Sequence, residues 1–239
     1  MLRETFSIIG RNWSMYAVVV VGTMALSIFD ELSGKTTSSG ATSFMWGYLA
    51  MCVQGAVIYS GSFTQVGKCA GFGKTFPYFL KTAALFIAAL VISLPIFTLL
   101  PSELGVSATV LVFTSAAMIV YVLLLSLVGT WPVSSVTGRG TSLFDAFRRG
   151  VARLFPTFAR LIAGIILPLV VSMLIFVMAS QVASSPLLLV DGRPNILMLA
   201  VLAIAAFLQA LGVSYAAVVL ARVYLAGEQG SAKFGAAAA

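Results

Sequence analysis

The chain has 239 residues, 60% of them hydrophobic and 9% charged, a net charge of +7 and no histidine. With a mean hydropathy of +1.07, it carries far more apolar surface than the core of a water-soluble domain of this length takes up, so it belongs in a bilayer. The missing histidine removes the usual axial haem ligand, the commonest metal-binding side chain and the usual general base near neutral pH; no cofactor is expected.

In chain order, six apolar runs are long enough to cross about 30 Å of hydrocarbon at roughly 20 residues each. They cover about 13 to 29, 44 to 66, 82 to 100, 106 to 131, 161 to 183 and 195 to 221, and none has a charged residue near its centre. The expected fold is all-α, a polytopic membrane protein with six transmembrane helices in a single integral-membrane domain. Arg3 and Arg11 precede the first run as they would in a signal peptide. That run leads into Phe29-Asp30-Glu31 with no small-x-small cleavage pattern, so a retained anchor helix is expected.

Orientation follows from the cations. With the N-terminus in the cytoplasm, the inside segments hold Arg3, Arg11, Lys68, Lys74, Lys81, Arg139, Arg148, Arg149, Arg153, Arg160, Arg222 and Lys233, twelve of the fourteen Lys and Arg residues. Only Lys35 and Arg193 fall outside, so six spans with both termini cytoplasmic are expected. Cys52 within the second span and Cys69 near its cytoplasmic end are expected to be free thiols.

Two stretches repeat 79 positions apart: Phe76, Pro77, Phe79 and Lys81 fall on Phe155, Pro156, Phe158 and Arg160, and further on Ser93, Ile96 and Phe97 fall on Ser172, Ile175 and Phe176. A fainter copy opens the chain, where Phe6 and Arg11 keep the spacing. The pattern divides the chain into three related units, about 1 to 67, 68 to 135 and 136 to 227, followed by a low-complexity tail from 228 to 239. Each unit is expected to begin with a short amphipathic helix or elbow on the cytoplasmic face.

That element is clearest in "GTSLFDAFRRGVARLFP". Ser142 and Asp145 have the spacing of a capping box. Behind them Leu143, Phe144, Phe147, Val151, Leu154 and Phe155 recur at helical spacing, with Asp145, Arg148, Arg149 and Arg153 on the other side. Such a helix lies in the headgroup plane, rings toward the acyl boundary and guanidinium groups among the phosphates. Proline cannot continue the surface helix but suits the first turn of the next, so Phe-Pro is expected to mark the elbow, and Lys81 and Arg160 to snorkel back to the phosphates.

Catalytic chemistry is sparse. A divalent-cation site would need Asp30 and Glu31 to be joined by Glu103 or Asp191, but no ligand spacing motif supports this, and they are expected to be loop charges. "GKCAGFGKT" is not a phosphate-binding loop, because Lys68 stands where its first glycine must be. The polar intramembrane groups are Gln54, Gln181 and Gln209, expected to make interhelical hydrogen bonds, and Pro95 and Pro168 are expected to kink their helices. Gly67-x-x-x-Gly71 has the spacing of a close helix contact at a membrane edge.

The opening "TFSIIGRNW", the run "SLFDAFRRGVARLFPTFARL" and the six-span layout resemble the membrane domain of glycerophosphodiester phosphodiesterases and related uncharacterised six-span bacterial inner-membrane proteins. In that family hydrolysis belongs to a separate soluble domain, so the resemblance implies a membrane module acting on or beside lipids, with no catalytic residue to carry over.

The function expected is therefore non-enzymatic: an inner-membrane protein that engages anionic lipids through Lys74, Lys81, Arg148, Arg149, Arg153 and Arg160, as scaffold or accessory subunit of a larger membrane assembly. Its expected partners are lipids and other membrane subunits, not nucleic acid. The alternative is a channel or transporter for a small neutral or amphiphilic solute, lined by the three glutamines and by serines between the repeats. A membrane-embedded hydrolase built on Asp30 and Glu31 comes third.

Overall fold

A computed structural model of the chain describes residues 1–69, 72–99, 105–138, 140–183, 185–190 and 192–237, without the side chains of Lys68, Cys69, Phe72 and residues 230–237. The expectations for Gly71, Glu103, Arg139 and Asp191, and for the side chains of Lys68, Cys69 and Lys233, lie outside the described residues.

The helices run α1 (Leu2–Arg11), α2 (Trp13–Ser33), α3 (Ser39–Tyr59), α4 (Phe63–Cys69), α5 (Phe72–Ser93), α6 (Ile96–Leu99), α7 (Val106–Val128), α8 (Thr130–Thr137), α9 (Leu143–Val151), α10 (Leu154–Val182) and α11 (Ile196–Ala237). Strands β1 (Leu189–Val190) and β2 (Arg193–Pro194) form a small antiparallel hairpin before α11. Six segments are long and apolar enough to cross a membrane: Trp13–Ser33, Ser39–Tyr59, Gly73–Leu99, Val106–Val128, Leu154–Val182 and Ile196–Gln229. The protein is an all-α, multi-pass membrane protein, as its composition requires.

The boundaries differ from expectation at places with local causes. The second span ends at Tyr59, because Ser60 takes a left-handed backbone at φ 53° and starts a break. Phe63 then opens α4, its N–H donating to Asn12 Oδ1 at 3.0 Å. Asn12 is itself the residue between α1 and α2, so one side chain marks two helix boundaries.

The third span begins at Gly73, ahead of the expected 82, and Pro77 lies inside α5. The elbow expected at Phe76-Pro77 is therefore not there. At the corresponding Phe155-Pro156 a helix boundary does precede the motif: α9 ends at Val151, and Pro156 sits in the first turn of α10, where its missing N–H costs nothing. Pro95 ends a helix instead of kinking one, since it stands between α5 and α6, whereas Pro168 is inside α10. The sixth helix continues past 221 to Ala237; at 1.5 Å per residue its 42 residues span roughly 63 Å, more than the roughly 40–45 Å of a whole bilayer.

The chain forms two compact units, one of Met1–Cys69 with Arg160–Val219, the other of Ala70–Ala159 with Leu220–Ala239. In the first, α3 packs against α2 and α4, and Tyr16, Val19, Leu49, Met51 and Leu161 are core residues. From Met51 to Val57 every residue of α3 is buried, all round the helix. Within this unit α10 and α11 meet at two glycines. A Cβ on Gly212 would strike the Gly164 carbonyl and Pro168, and one on Gly164 would strike the Tyr215 ring. Close backbone approach at small residues is how helices associate where water supplies no driving force. In the second unit α5 packs on α7 and α8, and α7 on α9, around Tyr78, Leu85, Val122, Val133, Val136 and Tyr224.

Candidate functional site

The second unit gathers most of the expected cations, and its geometry starts with α9. Ser142 caps the helix: its Oγ accepts from the Asp145 N–H at 3.1 Å and donates to Asp145 Oδ2 at 2.7 Å. The expected capping pair is present, with the carboxylate bonded to the hydroxyl. α9 docks through its smallest residues, Ala146 and Gly150, one turn apart and both buried. A Cβ on Gly150 would collide with the Leu127 carbonyl of α7, so only glycine allows this approach. Most of the expected apolar face is thereby left exposed. Leu143, Phe144, Phe147 and Val151 are exposed, Phe144 by 74%. Arg148 and Arg153 are exposed beside them.

Arg149 behaves differently because it follows Ala146 by three residues, which turns it toward the packed side. Its Nη2 donates to Glu228 Oε1 at 2.6 Å, and its Cζ lies 5.4 Å from the centroid of the Tyr224 ring. The stem runs against Gly227, where a Cβ would crowd its Cδ, Cγ and Nε. The other amino nitrogen, Nη1, is buried without a partner.

Beneath this pair a polar chain crosses α8. Thr137 Oγ1 donates to the Ser134 carbonyl at 2.9 Å, so the Tyr224 hydroxyl is the donor in its 3.1 Å bond to Thr137. Ser134 Oγ donates to the Trp131 carbonyl at 2.7 Å. Lys81 reaches the same two groups, its Nζ donating to the Trp131 carbonyl at 3.2 Å and to Ser134 Oγ at 3.4 Å, while lying 5.3 Å from the Trp131 ring centroid. Lys81 thus folds back onto α8, between the Trp131 ring and Ser134. Lys74, two turns earlier on α5, lays its Cε against Gly138, the left-handed residue that ends α8. A cation suits that position, where the helix presents unpaired carbonyls. Thr130 and Ser135, both on α8, bury hydroxyls without partners.

The remaining expected residues lie in the first unit. Arg160 is exposed on α10. The glutamines differ in burial: Gln181 is exposed near the end of α10, Gln209 is half-buried within α11, and Gln54 is buried in the second half of α3. Gln54 does not make the expected interhelical bond through its carbonyl, since Oε1 is buried without a partner. The polar pair that does join two helices here is Tyr16 and Ser214, whose oxygens lie 2.7 Å apart.

Asp30 and Glu31 are occupied by the backbone. Asp30 accepts from the Ser38 N–H at 3.0 Å and from the Ser38 hydroxyl at 2.7 Å. Glu31 accepts from the N–H groups of Leu188 and Leu189 at 2.9 and 2.7 Å, fastening the hairpin loop. Among the described residues no group of three acidic, cysteine or histidine side chains could hold a metal ion. Cys52 is a free, buried thiol.

Trp131, Ser134, Tyr224 and Glu228 were not among the expected site residues. Tyr224 and Glu228 carry one legible signal, an aromatic ring and a carboxylate four residues apart on a helix. It becomes visible once the sixth helix is continued past 221. Comparison with family models, with curated proteins and with solved structures finds no match.

Proposed function

We propose that this is a non-enzymatic protein of the bacterial inner membrane, with both termini cytoplasmic, that engages anionic lipid headgroups and serves as scaffold or accessory subunit of a membrane assembly. The observation that carries this reading is α9. Its buried residues are Ala146 and Gly150, and it offers Phe144, Phe147 and Arg148 to its surroundings, with Arg153 exposed just past its end. Exposed rings and guanidinium groups on and just after one short helix suit the acyl–headgroup boundary, where each cation near an anionic surface adds about 1 kcal/mol. The short helices α1, α4 and α9, each just ahead of a long apolar one, support three related units of the kind the repeated Phe-Pro motif suggests.

The test uses Arg148→Gln with Arg153→Gln, which removes exposed charge and leaves Arg149 with Glu228. Reconstituted protein should lose salt-sensitive retention of phosphatidylglycerol, and co-purifying membrane subunits should fall with it. If both are unchanged, the reading fails. Orientation is tested separately: a cysteine introduced by Phe144→Cys should resist a membrane-impermeant thiol reagent added from the periplasmic side.

A channel or transporter for a small neutral or amphiphilic solute is the second reading. Its support is Gln54, a buried amide whose carbonyl lacks a partner inside a helix segment closed on all sides.

A further inference from the structure

Two cations of the second unit lie against aromatic rings, and their surroundings differ in one respect. Arg149 has a carboxylate, Glu228, at 2.6 Å. Lys81 has none: among the described residues its Nζ meets only the Trp131 carbonyl, the Ser134 hydroxyl and the Trp131 ring. Two of its three N–H donors are used, both on neutral acceptors, and the third has no partner among the described residues.

A half-buried ammonium without a counter-charge is costly unless an anion completes its shell. Ser134 cannot act as a further donor there, because its own proton goes to the Trp131 carbonyl. It positions the ammonium; an incoming anion would be held by Lys81 itself.

The neighbouring tryptophan indicates which anion. Tryptophan concentrates at the membrane interface, the level at which lipid phosphates lie. On α5, Phe76 and Leu80 are exposed close to Lys81 in the chain, apolar surface that acyl chains can cover. Basic sites between helices at the cytoplasmic boundary are where anionic headgroups bind. We infer that Lys81, held between Trp131 and Ser134, is the seat for the phosphate of one anionic lipid. The inference rests on the proposed lipid-engaging function, but on a different helix from α9.

The experiment is native mass spectrometry of the full chain released from detergent after incubation with phosphatidylglycerol or phosphatidylcholine. Wild type should keep one phosphatidylglycerol and little phosphatidylcholine. Lys81→Gln should lower that occupancy about fivefold, and Lys81→Arg should restore most of it, which separates loss of charge from loss of fold. Arg148→Gln with Arg153→Gln should leave the single tight lipid in place. Equal occupancy in wild type and Lys81→Gln overturns the seat, as does a tight lipid lost from the α9 variant and kept by Lys81→Gln. That second outcome would leave the α9 reading intact, whereas retention unaffected in every variant would overturn both. Displacement of the lipid by millimolar inorganic phosphate would reassign the site to soluble phosphate and overturn the lipid assignment.

Discussion

Arg149 and Glu228 meet at 2.6 Å with side chains only 17% and 27% exposed, and this pair fastens the amphipathic helix α9 to the end of α11. Its strength should lie between the roughly 1 kcal/mol of an exposed pair and the roughly 3–5 kcal/mol lost on breaking a buried one. Glu228→Gln leaves a guanidinium whose Nη1 already lacks a partner, so it should cost about 2 kcal/mol in a denaturant titration of the detergent-solubilised protein. Arg149→Gln should cost at least as much, since packing on Tyr224 and Gly227 goes with the charge. The double variant should cost clearly less than the sum. Simple additivity would mean the two side chains do not interact.

Small residues make a second set of expectations. Gly150→Ala and Gly212→Ala each drive a methyl group into a backbone carbonyl, that of Leu127 and that of Gly164, and a carbonyl within a helix cannot swing aside. Each should cost about 1–3 kcal/mol, read as a fall in melting temperature in detergent. Gly10→Ala is the control: nothing lies within 4 Å of its added Cβ, so it should be neutral or slightly stabilising through helix propensity.

Tyr16 and Ser214 predict an asymmetry. Ser214 Oγ donates to the Ala210 carbonyl at 2.7 Å, so Tyr16 donates to Ser214. Tyr16→Phe removes that donor and leaves the serine proton satisfied, at a cost of about 1 kcal/mol. Ser214→Ala strands a buried phenol and should cost more, about 1–3 kcal/mol. The opposite order in thermal melts would show that the proton runs the other way.

The spans are legible in the sequence because hydropathy is a sum over about 20 residues and tolerates local error. Helix ends depend on single groups, and there the sequence speaks less clearly. Ser142 and Asp145 are three residues apart in the chain, so their cap can be read directly; the Asn12 cap on Phe63 joins residues far apart and cannot. The aligned serines Ser93 and Ser172 do land alike, each buried and donating to the carbonyl four residues back, which are local bonds. The aligned cations Lys81 and Arg160 do not, because what lies beside each is set by tertiary packing: Trp131 and Ser134 for one, an exposed helix face for the other. Arg149 was expected with the exposed arginines; the Ala146 and Gly150 spacing that turns it inward reads as nothing until the helix has a partner.

Glu31 predicts a local change. Its two oxygens take the N–H groups of Leu188 and Leu189, so Glu31→Ala should speed amide exchange at those two positions and raise proteolysis in the loop before α11. Exchange within α10 should be unaffected, and chelators should not reproduce the change.

Gln54 separates the two functional readings. Its carbonyl oxygen is buried and unbonded in a residue only 2% exposed, so as a structural element it is unfavourable. Replacing a polar group that lacks a partner with an apolar one of similar size is neutral or stabilising. Gln54→Leu should therefore leave the melting temperature unchanged or raise it, and under the lipid-binding reading phosphatidylglycerol retention should not move. If the amide is kept to pass a neutral solute, the same variant should abolish facilitated entry of that solute into proteoliposomes while the fold gains stability. Gln181→Leu serves as the comparison, since that residue is exposed near the end of α10, whereas Gln54 is buried. A flux lost only in Gln54→Leu would favour transport over the scaffold, and no measurable wild-type flux across a panel of uncharged solutes would leave the lipid-engaging reading as the one the geometry supports.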